Sequence, residues 1–270
     1  MKKLVFGTLC ALLVLAGCGS EEKDDKTLVV GATTAPHAQI LKYVQKDLEK
    51  EGVHLEIKEF SDYTKINTAL NEGSLDANYF QHQVYLDGYN EDSGADLISV
   101  GAIHYEPLGM YADDPAGKTS ISLDDVKEGD QIAVPNDATN EARALLLLEK
   151  FGIIKLKAGA GILATKLDIV ENPKNVEIVE IEASQLPRQL PSVKYAVING
   201  NYALDAGVIE KVIVTEDKED EAAITYANII AVRKEDKDNE KIKKLVNVLK
   251  SEKTQNYINE TFNGTVVPSK

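Results

Sequence analysis

Arg143 is the residue whose type and position ask most plainly for a chemical partner. It follows Pro135-Asn136-Asp137-Ala138-Thr139-Asn140, a run rich in candidate N-caps, and precedes Leu145 to Leu148, so the spacing predicts a helix over 141–151 with the guanidinium in its first turn. A cation there faces the positive end of the helix dipole, at a cost of a few tenths to about 1 kcal/mol. An anion should offset that. Asp137 or Glu141 could supply it, or a ligand carboxylate could, since a guanidinium and a helix N-terminus together match a planar anion.

Aromatic side chains form a second group. Six of the eleven tyrosines (Tyr63, Tyr79, Tyr85, Tyr89, Tyr105, Tyr111) and Phe80 fall between residues 63 and 111, close to His82. Tyr79 and Tyr89 read as packing. Phe80, His82 and Tyr85 lie where a strand gives way to a helix, the usual place for ligand contacts in an αβ lobe. Rings there suit an apolar or thioether chain, with sulfur-aromatic contacts adding roughly 0.3 to 1.5 kcal/mol. Asparagines form a third group: Asn199 and Asn201 follow the strand YAVI, and Asn228 lies inside ITYANIIAV. An unbonded amide in an apolar strand costs about 1 to 3 kcal/mol, so Asn228 needs a partner, either crossover backbone or the ammonium or carboxylate of a ligand.

Enzyme chemistry finds no such support. G-x-S-x-G, the P-loop and H-E-x-x-H are absent, and Gly159-Ala160-Gly161 lacks the third glycine and preceding strand of a dinucleotide fingerprint. The carboxylates read as solvated runs rather than isolated pairs. His37, His54, His82 and His104 share no close ligand spacing, so neither a metal nor a cofactor is expected.

The elements that must position these groups alternate. Thr27–Thr33 and Val53–Phe60 read as strands around a helix carrying Ile40, Leu41, Val44 and Leu48; a helix with Ile66, Ala69 and Leu70, a strand over Asp76–Phe80, a helix over Gln83–Tyr89 and a strand over Leu97–Ile103 follow. After the polar turn Ala112–Lys118 the pattern restarts with strands at Gln131–Pro135, Val176–Ile181, Tyr195–Ile198, Val212–Val214 and Ile224–Val232, and two amphipathic helices close the chain. Such alternation predicts largely parallel sheets covered on both faces. Crossings near His104–Tyr111 and Ala222–Val232 would join two αβ lobes and leave a cleft between them.

The N-terminal residues predict a destination. Lys2 and Lys3 precede an apolar run over Leu4–Ala16, too short to span a bilayer but suited to an export signal. Leu15-Ala16-Gly17-Cys18 resembles a lipobox, so residues 1–17 read as a lipoprotein signal peptide, Cys18 as the lipidated residue and 18–26 as a flexible tether. Cys10 lies inside the signal, which leaves Cys18 without a disulfide partner in the mature chain. Without Lys2 and Lys3 the balance is 28 basic against 44 acidic residues, a net of −16. That charge argues against a nucleic-acid partner and leaves the lipid alone to hold the protein at the extracytoplasmic face of the cell membrane.

Several stretches together resemble one family: GATTAPHAQIL (31–41), LNEGSLDANYFQHQVYL (70–86), IHYEPLGMYA (103–112), VPNDATNEARALLLLEKFGIIKL (134–156), LDIVENPKNVEIVEIEASQLPR (167–188), AVINGNYA (196–203) and YANIIAVR (226–233). The chain is similar to the methionine-binding lipoproteins of ABC importers over essentially its whole mature length. The resemblance implies a two-lobed periplasmic-binding-protein fold of the α/β class, with residues 27–108 plus 230–270 as one lobe and 109–229 as the other. It implies methionine, or a small methionine-containing ligand, held by aromatic residues Tyr63, Phe80, His82 and Tyr85. Arg143 would pair with the carboxylate, and Asn140, Asn199 and Asn228 would bond the head group; Asn201 is more variable in the family. The implied partners are a permease and its ATPase.

Overall fold

The computed structural model describes residues 26–115, 117–217 and 222–269. The signal peptide, most of the tether and Cys18 lie outside the described residues. In chain order the elements are β1 (Thr27–Thr33), α1 (Gln39–Lys50), β2 (His54–Phe60), α2 (Ile66–Asn71), β3 (Ala77–His82), α3 (Gln83–Ser93), β4 (Leu97–Tyr105), β5 (Gly109–Tyr111), β6 (Gln131–Pro135), α4 (Ala138–Lys150) and β7 (Lys155–Leu156). They continue with β8 (Ile169–Glu171), β9 (Glu177–Ile181), α5 (Leu186–Gln189), β10 (Tyr195–Ile198), α6 (Gly200–Asp205), β11 (Val212–Thr215), α7 (Ala222–Thr225), β12 (Ala227–Arg233), α8 (Glu240–Leu249), α9 (Glu252–Phe262) and β13 (Val267–Pro268).

β7 and β8 pair by themselves, and two large sheets organise the other strands, one in the order β13-β4-β12-β3-β1-β2 and one in the order β11-β5-β10-β6-β9. Both are mixed, which corrects the largely parallel sheets expected from alternation. β1 runs parallel to β2 and β3, but β12 runs antiparallel to β3 and β4, and β13 antiparallel to β4. In the second sheet β6 is parallel to β9 and β10, whereas β5 is antiparallel to β10 and β11. The antiparallel strands stand where the chain changes sheet: β4 leads through residues 106–108 into β5, and β11 leads back to β12. Each crossing therefore reverses direction relative to a βαβ unit.

Strand alternation divides the apolar residues by face. Leu28 and Val30 pack outward against Ile40, Leu41 and Val44 of α1 and Leu245 and Ile258 of α8 and α9. Ile132, Val134, Tyr195 and Val197 pack against Leu145 and Leu148 of α4. Val29, Phe80 and Ile229 of one sheet join the cluster that holds Ala133, Ala196 and Ile198 of the other. The functional side chains sit where this third cluster ends.

β12 begins at Ala227 rather than Ile224. Residues 222–225 form a helical turn and Ile224 is 83% exposed, so its apolar side chain does not belong to the strand. Asn228 is the second residue of β12 and pairs in register with His82 and His104. Among the described residues no helix is long and apolar enough to cross a membrane.

Candidate functional site

Helix α4 starts three residues earlier than the spacing predicted. Asp137 is its N-cap and accepts the Asn140 N–H at 3.0 Å, so Arg143 stands in the second turn, not the first. Its anionic partner is neither Asp137 nor Glu141. Arg143 Nε and Nη2 donate to Glu216 Oε1 at 2.8 Å and Oε2 at 2.5 Å, and Nη2 also donates to the Glu106 carbonyl at 2.9 Å. Tyr226 lies under the guanidinium at 4.3 Å from its ring centroid. Burial opposes both charges, yet each ion holds the other: the Arg143 pKa is raised and the Glu216 carboxyl is held below its ordinary value. Tyr105 and the Leu108 N–H complete the shell of Glu216.

The nine residues singled out as ligand contacts line a single cavity. Tyr63, Phe80 and Tyr85 make its aromatic wall, with ring centroids 5.5 to 5.8 Å apart. The Tyr63 hydroxyl donates to Asn201 Oδ1 at 2.5 Å, joining segments 138 residues apart in the chain. His82 caps α3, its Nδ1 accepting the Tyr85 N–H at 3.1 Å. That fixes the proton on Nε2, which faces Asn140 Oδ1 at 3.4 Å, and burial lowers the His82 pKa to about 3, keeping the ring neutral.

Asn140 is spent on structure as much as on the cavity. Its Nδ2 donates to both Asp137 oxygens at 2.9 and 3.0 Å, and its Oδ1 accepts Asn199 Nδ2 at 2.8 Å. Asn199 is 6% exposed, and its Oδ1 has no hydrogen-bond partner among the described residues. A buried amide oxygen left so costs about 1 to 3 kcal/mol. Asn228 Oδ1 accepts His37 Nε2 at 2.9 Å, so its partner is a side chain, which neither sequence reading foresaw.

Gln81, Glu106 and Gly200 also line the cavity and were not singled out. Glu106 lies between the end of β4 and Pro107, a lone acid whose spacing carries no signal. Glu106 and Glu216 are both buried, which corrects the reading of the carboxylates as solvated runs. Histidines meet here too, despite their distance along the chain. The His37 and His104 Nε2 atoms approach Glu106 Oε1 at 3.4 and 2.7 Å. Thr33 Oγ1 donates to His37 Nδ1 at 2.7 Å, and the Tyr79 hydroxyl bonds His104 Nδ1. Three ligand-type atoms so close could share a cation. His37 would then have to surrender the Nε2 proton that Asn228 accepts, and hydrogen bonding accounts for the cluster without that loss.

A wall of rings, a matched guanidinium and an amide oxygen awaiting a donor describe a receptor for a small zwitterion with an apolar tail. The profile of the NlpA lipoprotein family matches residues 28–270. The chain belongs to the NlpA lipoprotein family. Among its relatives, the D-methionine-binding lipoprotein MetQ of Salmonella typhimurium is 45% identical over 266 residues, spanning 97% of this chain and 95% of that one. A membrane lipoprotein of Treponema pallidum is 36% identical over 258 residues, spanning 96% and 93%. A nutrient-binding protein from Burkholderia cenocepacia, solved bound to methionine, is 44% identical with a TM-score of 0.83, covering 90% of this chain and 100% of that one. The NlpA lipoprotein family is thus a family of substrate-binding proteins, and its two-lobed architecture is the one built here.

Proposed function

We propose that this chain is the extracytoplasmic substrate-binding lipoprotein of an ABC importer, that it captures methionine, L or D, and that it delivers it to the permease and ATPase of that system. The observation that carries this reading is the convergence of one aromatic wall and one set of head-group atoms on the same cavity. The thioether chain lies against Tyr63, Phe80 and Tyr85, and its burial contributes about 1.5 to 3 kcal/mol. Arg143 turns toward the carboxylate, with its charge already balanced by Glu216. Asn140, Asn199, Asn201 and Asn228 orient the head group, and Asn199 Oδ1 gains a donor. Cys18, lipidated, keeps the carrier at the membrane.

Contacts that join the lobes, Tyr63 to Asn201 and His82 to Asn140, belong to a closed form, so ligand entry requires hinge opening at the two crossings. Thermal denaturation with a panel of amino acids, methionine-containing dipeptides and zinc tests the reading, because a ligand that binds only the native state raises the midpoint. Methionine is expected to raise it, and Arg143→Ala to abolish the response. A protein that responds to none of these solutes would be a surface lipoprotein without a transport role.

A further inference from the structure

The charges around the cavity do not close. Arg143 is matched by Glu216, but among the described residues the carboxyl of Glu106, a residue 5% exposed, pairs with no Lys or Arg; Arg143 bonds only its main-chain carbonyl. Every element packed against it supplies a neutral group or a charge already engaged. The turn after β1 brings His37 and β4 brings His104, which bonds Tyr79 of β3. Helix α6 brings the Asn201 N–H and Gly200, the Ser61–Lys65 turn brings Tyr63, and β5 brings Tyr111. Helix α4 brings Arg143, which touches the Glu106 main-chain carbonyl and spends two donors on Glu216. Burial holds His37 near a pKa of about 4 and His104 near about 3, so neither is a cation at neutral pH. Burial also raises the Glu106 carboxyl to about 7.

An ammonium group is what this arrangement lacks. It would satisfy two features at once, the unbalanced carboxyl of Glu106 and the unpartnered Oδ1 of Asn199, which line the same cavity. We infer that Glu106 is the anchor for the ligand's ammonium group and that it passes its own proton to solvent when that group arrives, so that capture of the amino acid releases a proton. The inference rests on the proposed methionine reading and sharpens its substrate class: the ligand must carry a free, protonated α-amino group. An N-acyl or desamino analogue presents no cation to Glu106.

Linkage fixes the sign. Below the free-state pKa Glu106 must ionise on binding, so affinity falls about tenfold for each pH unit below about 7 and levels off above it. Calorimetric titration of the full-length protein with L-methionine, repeated in buffers of different ionisation enthalpy, counts the protons directly. Release of about one proton per ligand is expected at pH 6, declining toward zero by about pH 8.5. Glu106→Gln should abolish the release and weaken methionine at least about tenfold at pH 8, while leaving 4-(methylthio)butanoate, which lacks the amino group, within about twofold of its wild-type affinity. Equal losses for both ligands would make Glu106 a structural residue only and overturn the inference. So would methionine binding by the wild type at pH 6 without proton release, a result that needs no variant to fold and leaves the methionine reading standing. Failure of the wild type to bind methionine at any pH would instead sink both.

Discussion

At the scale of single residues, the cavity depends on groups whose role comes from what they hold in place. Glu216 contacts Arg143 from 73 positions away and at 9% exposure, and no local spacing could have announced it. Removing one partner of a buried ion pair leaves the other charge uncompensated, so Glu216→Ala is expected to destabilise the fold by about 3 to 5 kcal/mol, read as a lowered urea midpoint at pH 7. Gly200 is constrained in another way. A Cβ there would lie 3.0 Å from both Cβ and Oε2 of Glu106, tighter than an ordinary contact allows. Gly200→Ala should therefore displace the Glu106 carboxyl and weaken methionine binding about tenfold or more in a calorimetric titration, with a cooperative melt retained. Arg143, the aromatic trio and the asparagines could be read from the sequence because each is an unusual type for its position. Glu106 and His104 could not, since a lone acid and a lone imidazole acquire meaning only once β4 sets them beside His37.

At the scale of elements, α4 is the part that gathers the site. Its cap does two things: Asp137 takes the Asn140 N–H and also both bonds from the Asn140 amide, so the first turn and the position of Asn140 Oδ1 are fixed together. Asp137→Ala should cost about 1 to 2 kcal/mol of stability by chemical denaturation, and should weaken methionine binding by more than a cap lost elsewhere, such as Ser251→Ala at α9. Pattern made most long elements legible, with β1, β6 and β10 read to their ends, because a short unbroken apolar run marks a strand buried on both faces. It misplaced the start of α4, where Ala138 and Thr139 offer no apolar stripe, and of β12, where an alanine-rich turn continues the strand's composition. It missed β5 and β13, which span three and two residues and hold their places through neighbours rather than pattern. Pairing direction was equally invisible: each crossing inserts a strand from the far end of the chain between or beside parallel neighbours.

At the scale of the whole molecule, the buried histidines and Glu106 set opposite slopes of stability against pH. His37, His82 and His104 have folded pKa values lowered by burial to about 4, 3 and 3, from an ordinary 6.5. Between about pH 4.5 and 6.5 the unfolded chain therefore binds a proton at each of three sites that the folded chain leaves bare, and stability rises with pH. Glu106 works against this, because its folded value of about 7 lies above the ordinary 4.5, and in the same window the folded chain holds the extra proton. The difference is two protons in favour of the unfolded state, a slope of up to about 3 kcal/mol per pH unit. Above pH 6.5 the histidines are neutral in both states and Glu106 alone remains, so stability should level off and decline slightly toward pH 7.5. Urea midpoints from pH 5 to 8 are expected to climb steeply and then turn over near 6.5, and Glu106→Gln should remove the decline while keeping the climb. Methionine should flatten that decline as well, because an ammonium beside Glu106 gives the ionised carboxylate the cation the free protein does not provide; a decline unchanged by saturating methionine would place the amino group elsewhere in the cavity.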